Sequence, residues 1–198
     1  RFDILLSALV WSHQPLEKPP DMSSEEYRWM LVDGFVTNFN SHRANNFLPS
    51  ELICVDESMS RWYGQGGSWI NHGLPMYVAI DRKPENGCEI QNAACGVSGV
   101  MLRLKLVKGG TAPDEEDEHN GGGAAPMLHG TQVLLYLLSP WYNTQRVVCA
   151  DSYFASVGAA QELMRNGLRF IGVVKTATRH FPKVYLSNLE LTQQGDFS

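Results

Sequence analysis

Two periods of apolar residues alternate along this chain. Residues 2–11, Phe2-Asp3-Ile4-Leu5-Leu6-Ser7-Ala8-Leu9-Val10-Trp11, read as a helix packed into a core and ended by Pro15, Pro19 and Pro20. Ser23 and Glu26 have the three-residue spacing of a capping box. Tyr27, Leu31, Phe35 and Phe39 then recur every four residues, which predicts a helix to about residue 40 with this aromatic stripe packed inward.

From residue 51 onward the pattern is that of strands. Apolar, β-branched runs predict strands over 52–58, 88–95 and 100–107, with a glycine-bearing loop (Gly64, Gly66, Gly67) and a short extended piece near 76–80. Val97-Ser98-Gly99 is a turn, so 88–95 and 100–107 should pair antiparallel. Helices are expected at 129–138 and at 154–166 before Gly167, and strands at 146–151 and 168–175. Three antiparallel strands, followed by parallel strands joined through crossover helices, make an α/β class with an RNase H-like mixed sheet. This divides the chain into a helical segment, 1–50, and a partial RNase H-like core, 51–198. Residues 109–126 hold Gly109-Gly110, an acidic run and Gly121-Gly122-Gly123, so a disordered insertion is expected there.

Composition narrows the class. With 198 residues, 43% hydrophobic and 10% aromatic, the chain has material for a sizeable core. No apolar run approaches the ~20 residues that span a bilayer, so no membrane partner is expected. Arg1-Phe2-Asp3 lacks a signal-peptide layout and an initiator methionine, and reads as a start inside a longer protein. Cys54, Cys88, Cys95 and Cys149 form no C-x-x-C pair, which argues against zinc and for reduced thiols in an intracellular protein.

A net charge of −5 argues against nucleic-acid binding, but Asp114-Glu115-Glu116-Asp117-Glu118 accounts for all of it. Arg165, Arg169, Lys175, Arg179 and Lys183 fall in a window with no acid, a stretch suited either to phosphates or to plain solvent exposure.

Two tetrads carry the candidate chemistry. Cys54-Val55-Asp56-Glu57 follows Leu52-Ile53, and Cys149-Ala150-Asp151-Ser152 follows Val147-Val148. Strand alternation puts each aspartate on the same face as the cysteine two residues before it, which should lie buried behind it. Two carboxylates at the carboxyl ends of neighbouring strands suit a hard divalent cation, which takes oxygen ligands and serves phosphoryl transfer. Glu57 points to the opposite face and reads as structural.

These segments resemble the piggyBac family of transposases and piggyBac transposable element-derived proteins. Val55-Asp56-Glu57-Ser58-Met59 is similar to the segment around that family's first catalytic aspartate, and Asp151-Ser152-Tyr153-Phe154-Ala155-Ser156 to the segment around its second. Lys83-Pro84 with Gly87, and Gly172-Val173-Val174 with Arg179-His180-Phe181-Pro182, resemble its other motifs. Ser152 stands where the family usually has asparagine, and Gly64-Gln65 where it tends to have a glycine and a basic residue.

The resemblance implies a DDE-type DNA transposase that cuts and joins at TTAA sites, with Asp56 and Asp151 as catalytic, metal-binding residues for Mg²⁺ or Mn²⁺. It further implies a third aspartate beyond Ser198, transposon-end DNA as partner, a homodimer in the full-length protein and nuclear localisation. Arg179, Lys183 and Lys175 are the candidate phosphate contacts. The competing expectation is a domesticated derivative that binds DNA or protein without catalysis. A stand-alone nuclease would need further carboxylates that the chain does not supply.

Overall fold

The computed structural model describes residues 17–61, 78–79, 86–108, 127–175, 178 and 180–188. The expected helix at 2–11, the insertion at 109–126, the glycine-bearing loop and Arg179 lie outside them. The elements run α1 (Ser24–Asn46), β1 (Leu52–Arg61), β2 (Val78–Ala79), β3 (Asn86–Cys95), β4 (Met101–Leu106), α2 (His129–Leu138), β5 (Val147–Ala150), α3 (Val157–Arg165), β6 (Arg169–Gly172) and α4 (Lys183–Ser187).

One mixed sheet has the order β2-β3-β1-β5-β6, with β4 also paired to β3. β1 is antiparallel to β3, which is antiparallel to both β2 and β4. β5 lies parallel to β1, and β6 parallel to β5. This is the α/β, RNase H-like arrangement read from the sequence. The β3–β4 hairpin turns through Gly99, whose φ of +68° suits glycine.

The core forms on one face of the sheet. Ile53 and Val55 of β1 and Val148 and Ala150 of β5 meet Val133, Leu134, Leu137 and Leu138 of α2, and Ala159 and Leu163 of α3. Each fully buried aliphatic side chain of this kind contributes roughly 1.5–3 kcal/mol. Among the described residues no helix is long and apolar enough to cross a membrane.

Helix α1 begins at the expected capping box: Ser23 Oγ accepts from the Glu26 N–H, and Glu26 returns a bond to the Ser23 N–H. Of the expected aromatic stripe, Tyr27 and Phe39 are only half-buried. Phe35 is 52% exposed, whereas Trp29 is 3% exposed and Asn40 is buried with it. The helix therefore turns a different side to the sheet, and Phe35 and Phe39 stack on each other with the Arg43 guanidinium over Phe39. Asn40 explains the choice. Its amide donates to the Leu104 carbonyl and accepts from the Leu104 N–H, both at 2.8 Å. One side chain thus stands in for a neighbouring strand along β4, satisfying backbone groups of the kind that an open sheet edge leaves unpaired.

Candidate metal centre

Register decides what the tetrads can do. The parallel rungs of β1 and β5 run Leu52↔Val147, Ile53↔Val148, Cys54↔Cys149 and Val55↔Ala150. Asp56 and Asp151 come next on their chains and share a face of the sheet. Arg146 anchors this alignment: its Nε donates to the Ser50 carbonyl at 3.0 Å and its NH2 to Pro49 at 3.1 Å, while the Val147 N–H reaches the Glu51 carbonyl at 2.8 Å. These bonds tie the start of β5 to the chain entering β1.

The two aspartates have different settings. Asp151 ends β5 as expected and opens the turn into α3: its Oδ1 accepts the Tyr153 N–H at 2.8 Å, and its carbonyl accepts the Ala155 N–H at 3.0 Å. Phe154, 1% exposed, anchors that turn in the core, and Ser156 caps α3 by accepting from the Ala159 N–H. Asp56, by contrast, does not end its strand. β1 continues to Arg61 because β3 pairs with it throughout; only the parallel rungs stop at Val55.

Asp56 faces Asn92 across the β1–β3 rung, and the Asn92 amide is held by Ser58 Oγ at 2.9 Å. Asp56 Oδ1 accepts the Glu57 N–H at 2.8 Å. Partial desolvation holds the Asp56 carboxyl above its ordinary range. The Glu57 and Asp151 charges push the same way, and the Glu57 N–H opposes them.

The Asp151 charge reaches Asp56 despite their separation in sequence, though desolvation has the larger effect on that carboxyl. Mutual repulsion between oxygen donors is what a divalent cation relieves, so the pair suits a hard cation such as Mg²⁺ or Mn²⁺. Among the described residues no group of three His, Cys, Asp or Glu side chains is arranged to hold an ion. The donor set found is two carboxylates.

Cys54 and Cys149 are free thiols, but they are half-buried where full burial was expected. The helices α2 and α3 cover the Ile53–Val55 side of the sheet, while the cysteines share the more open face with the aspartates.

Of the expected phosphate contacts, Lys175 is exposed and follows β6 where that strand leaves the sheet, at the same end as Asp151. Lys183 is half-buried at the start of α4. Arg165, from the same basic window, is paired with Glu162. Arg146 and Asn92 were missed from sequence. An Arg directly before a β-branched run was a weak cue for the first, and a lone Asn within a strand gave none for the second.

A model of the family described as Transposase IS4 matches residues 1–197. No curated protein matches the chain. Among solved structures, the chain is similar to one described as a cryo-EM structure of a piggyBac transposase synaptic complex with hairpin DNA. The TM-score is 0.63 and the identity 21%, over 82% of this chain and 30% of that one. That likeness shows the fold, and the chain spans under a third of the other protein's length. With the family model covering nearly every residue, the chain belongs to the Transposase IS4 family.

Proposed function

We propose that this chain supplies two metal-binding carboxylates, Asp56 and Asp151, to a piggyBac-like DNA transposase that cleaves and joins DNA at TTAA sites. What supports this reading is the register: Asp56 and Asp151 each follow the last parallel β1–β5 rung, Val55↔Ala150. Transposases of the DDE type generally use divalent metal ions. Bound between these carboxylates, Mg²⁺ or Mn²⁺ would supply charge stabilisation for in-line displacement at a phosphodiester.

The chain's own part is positioning. Arg146 fixes the strand register, the Glu57 and Tyr153 amides each orient one carboxylate oxygen, and Lys175, Arg179 and Lys183 offer cations to DNA phosphates. Transposon-end DNA is the proposed partner, in keeping with the DNA complex that the similar structure's title describes. A homodimer and nuclear location belong to the same proposal.

With two carboxylates as the donor set among its described residues, this chain alone should process DNA poorly, because neither nucleophile nor leaving oxygen is held in line. The test is Mg²⁺- or Mn²⁺-dependent nicking of a TTAA-containing duplex by the chain and by a version extended downstream. The extended protein should nick, and Asp56→Ala or Asp151→Ala should abolish it. Nicking that survives both substitutions would overturn the proposal.

A further inference from the structure

Beyond the carboxylates, the same face of the sheet carries a second pair of donors of opposite chemical character. Cys54 and Cys149 are direct partners in the parallel β1–β5 ladder, both free and both half-buried. Residues that are partners on adjacent strands project to the same side, so the two thiols face out together. Across β1 and β5 the face reads Cys54 beside Cys149, then Asp56 beside Asp151. Cys88 and Cys95 are buried, at 6% and 2% exposure; Cys95 lies near Cys54 but belongs to the core on the covered face.

We propose that Cys54 and Cys149 form a bidentate site for a soft, thiophilic cation of the Cd²⁺ or Cu⁺ class, immediately behind the hard-cation carboxylates. Spacing favours a bridging ion over a disulfide. Neighbouring strands lie about 4.7–4.9 Å apart, and the Cβ atoms of paired residues lie at a similar distance. A disulfide needs Cβ atoms about 3.8 Å apart, so it would pull β1 and β5 together against Arg146 and the core. Two thiolate–metal bonds, each about 2.3 Å in the zinc case, span at most about 4.6 Å between sulfurs, a separation compatible with the spacing of adjacent strands.

Binding is balanced simply: two S–H protons pass to solvent as two sulfur–metal bonds form. Soft thiolates select such ions, whereas Mg²⁺ prefers the carboxylates two residues further on. An ion held here clamps β1 to β5 at the rung that positions Asp56 and Asp151. Binding itself does not depend on the proposed transposase activity.

The experiment titrates the 198-residue chain with Cd²⁺ and reads the ultraviolet thiolate-to-metal charge-transfer absorption. One equivalent per chain should bind. Cys54→Ser and Cys149→Ser should each abolish the signal, and Cys88→Ser should keep it. Should either serine variant fail to fold, the wild-type chain decides. Cd²⁺, and not Mg²⁺, should protect Cys54 and Cys149 together from iodoacetamide, as read by mass spectrometry. Absorption that persists in both folded serine variants, or alkylation of the two cysteines undiminished by Cd²⁺, would overturn the proposal.

Discussion

Asp56 and Asp151 sit one residue beyond the last parallel rung, Val55↔Ala150, and the charge of Asp151 helps to lift the Asp56 carboxyl above its ordinary range. A raised carboxyl binds its proton more tightly in the folded chain than in the unfolded one. Its ionised form therefore opposes folding, and stability falls as pH rises from the ordinary aspartate range through the raised one. Asp56→Asn should make the fold slightly more stable at neutral pH. That gain should vanish as pH drops below the ordinary aspartate value, about 3.9. Thermal melts of both proteins across acidic to neutral pH check this; a substitution that destabilises at neutral pH would contradict it.

Arg146 should matter for both stability and the site. Its guanidinium bonds to the Pro49 and Ser50 carbonyls join β5 to the entry of β1, and hydrogen bonds from charged groups contribute about 1.5–3 kcal/mol each. Shared exposure to water reduces this at a half-buried residue. Arg146→Met, which keeps the aliphatic stem, should cost about 1–2 kcal/mol in urea unfolding and weaken divalent-cation binding. Unchanged stability and unchanged binding would show that the strands find their register without it.

Asn40→Ala should leave the Leu104 N–H and carbonyl without their side-chain partner, at a cost of about 1–3 kcal/mol for buried polar groups. Asn40→Asp should be worse at neutral pH, because its second oxygen would face the Leu104 carbonyl. Chemical denaturation of the two variants measures the order. If aspartate were tolerated better than alanine, the two-bond arrangement would be wrong.

Much of this architecture was legible in the residues. Apolar β-branched runs marked the long strands, the capping box fixed the start of α1, and His129–Leu138 falls where the pattern placed it. Boundaries failed where pairing, not composition, sets length. β1 extends to Arg61 because β3 continues beside it, and β6 stops at Gly172 with the rungs of β5. The packed side of α1 was misread because three aromatic residues and a leucine outweighed one Trp and one Asn, and the Asn had its value at a strand edge 64 residues away. The two aspartates were visible as repeated tetrads. Their environments were not, since the Glu57 and Tyr153 amide bonds and the openness of the cysteine face depend on which side the helices cover.

The most direct test of the central claim, that Asp56 and Asp151 form one divalent-cation site, is Mn²⁺ binding to the chain followed by electron paramagnetic resonance. The wild-type chain should bind Mn²⁺ and release it to excess Mg²⁺. Asp56→Asn and Asp151→Asn should each abolish binding, while Asp33→Asn, which removes the partner of Lys108 on α1, should leave it intact. Mn²⁺ binding that persists unchanged in either the Asp56 or the Asp151 variant would contradict the account.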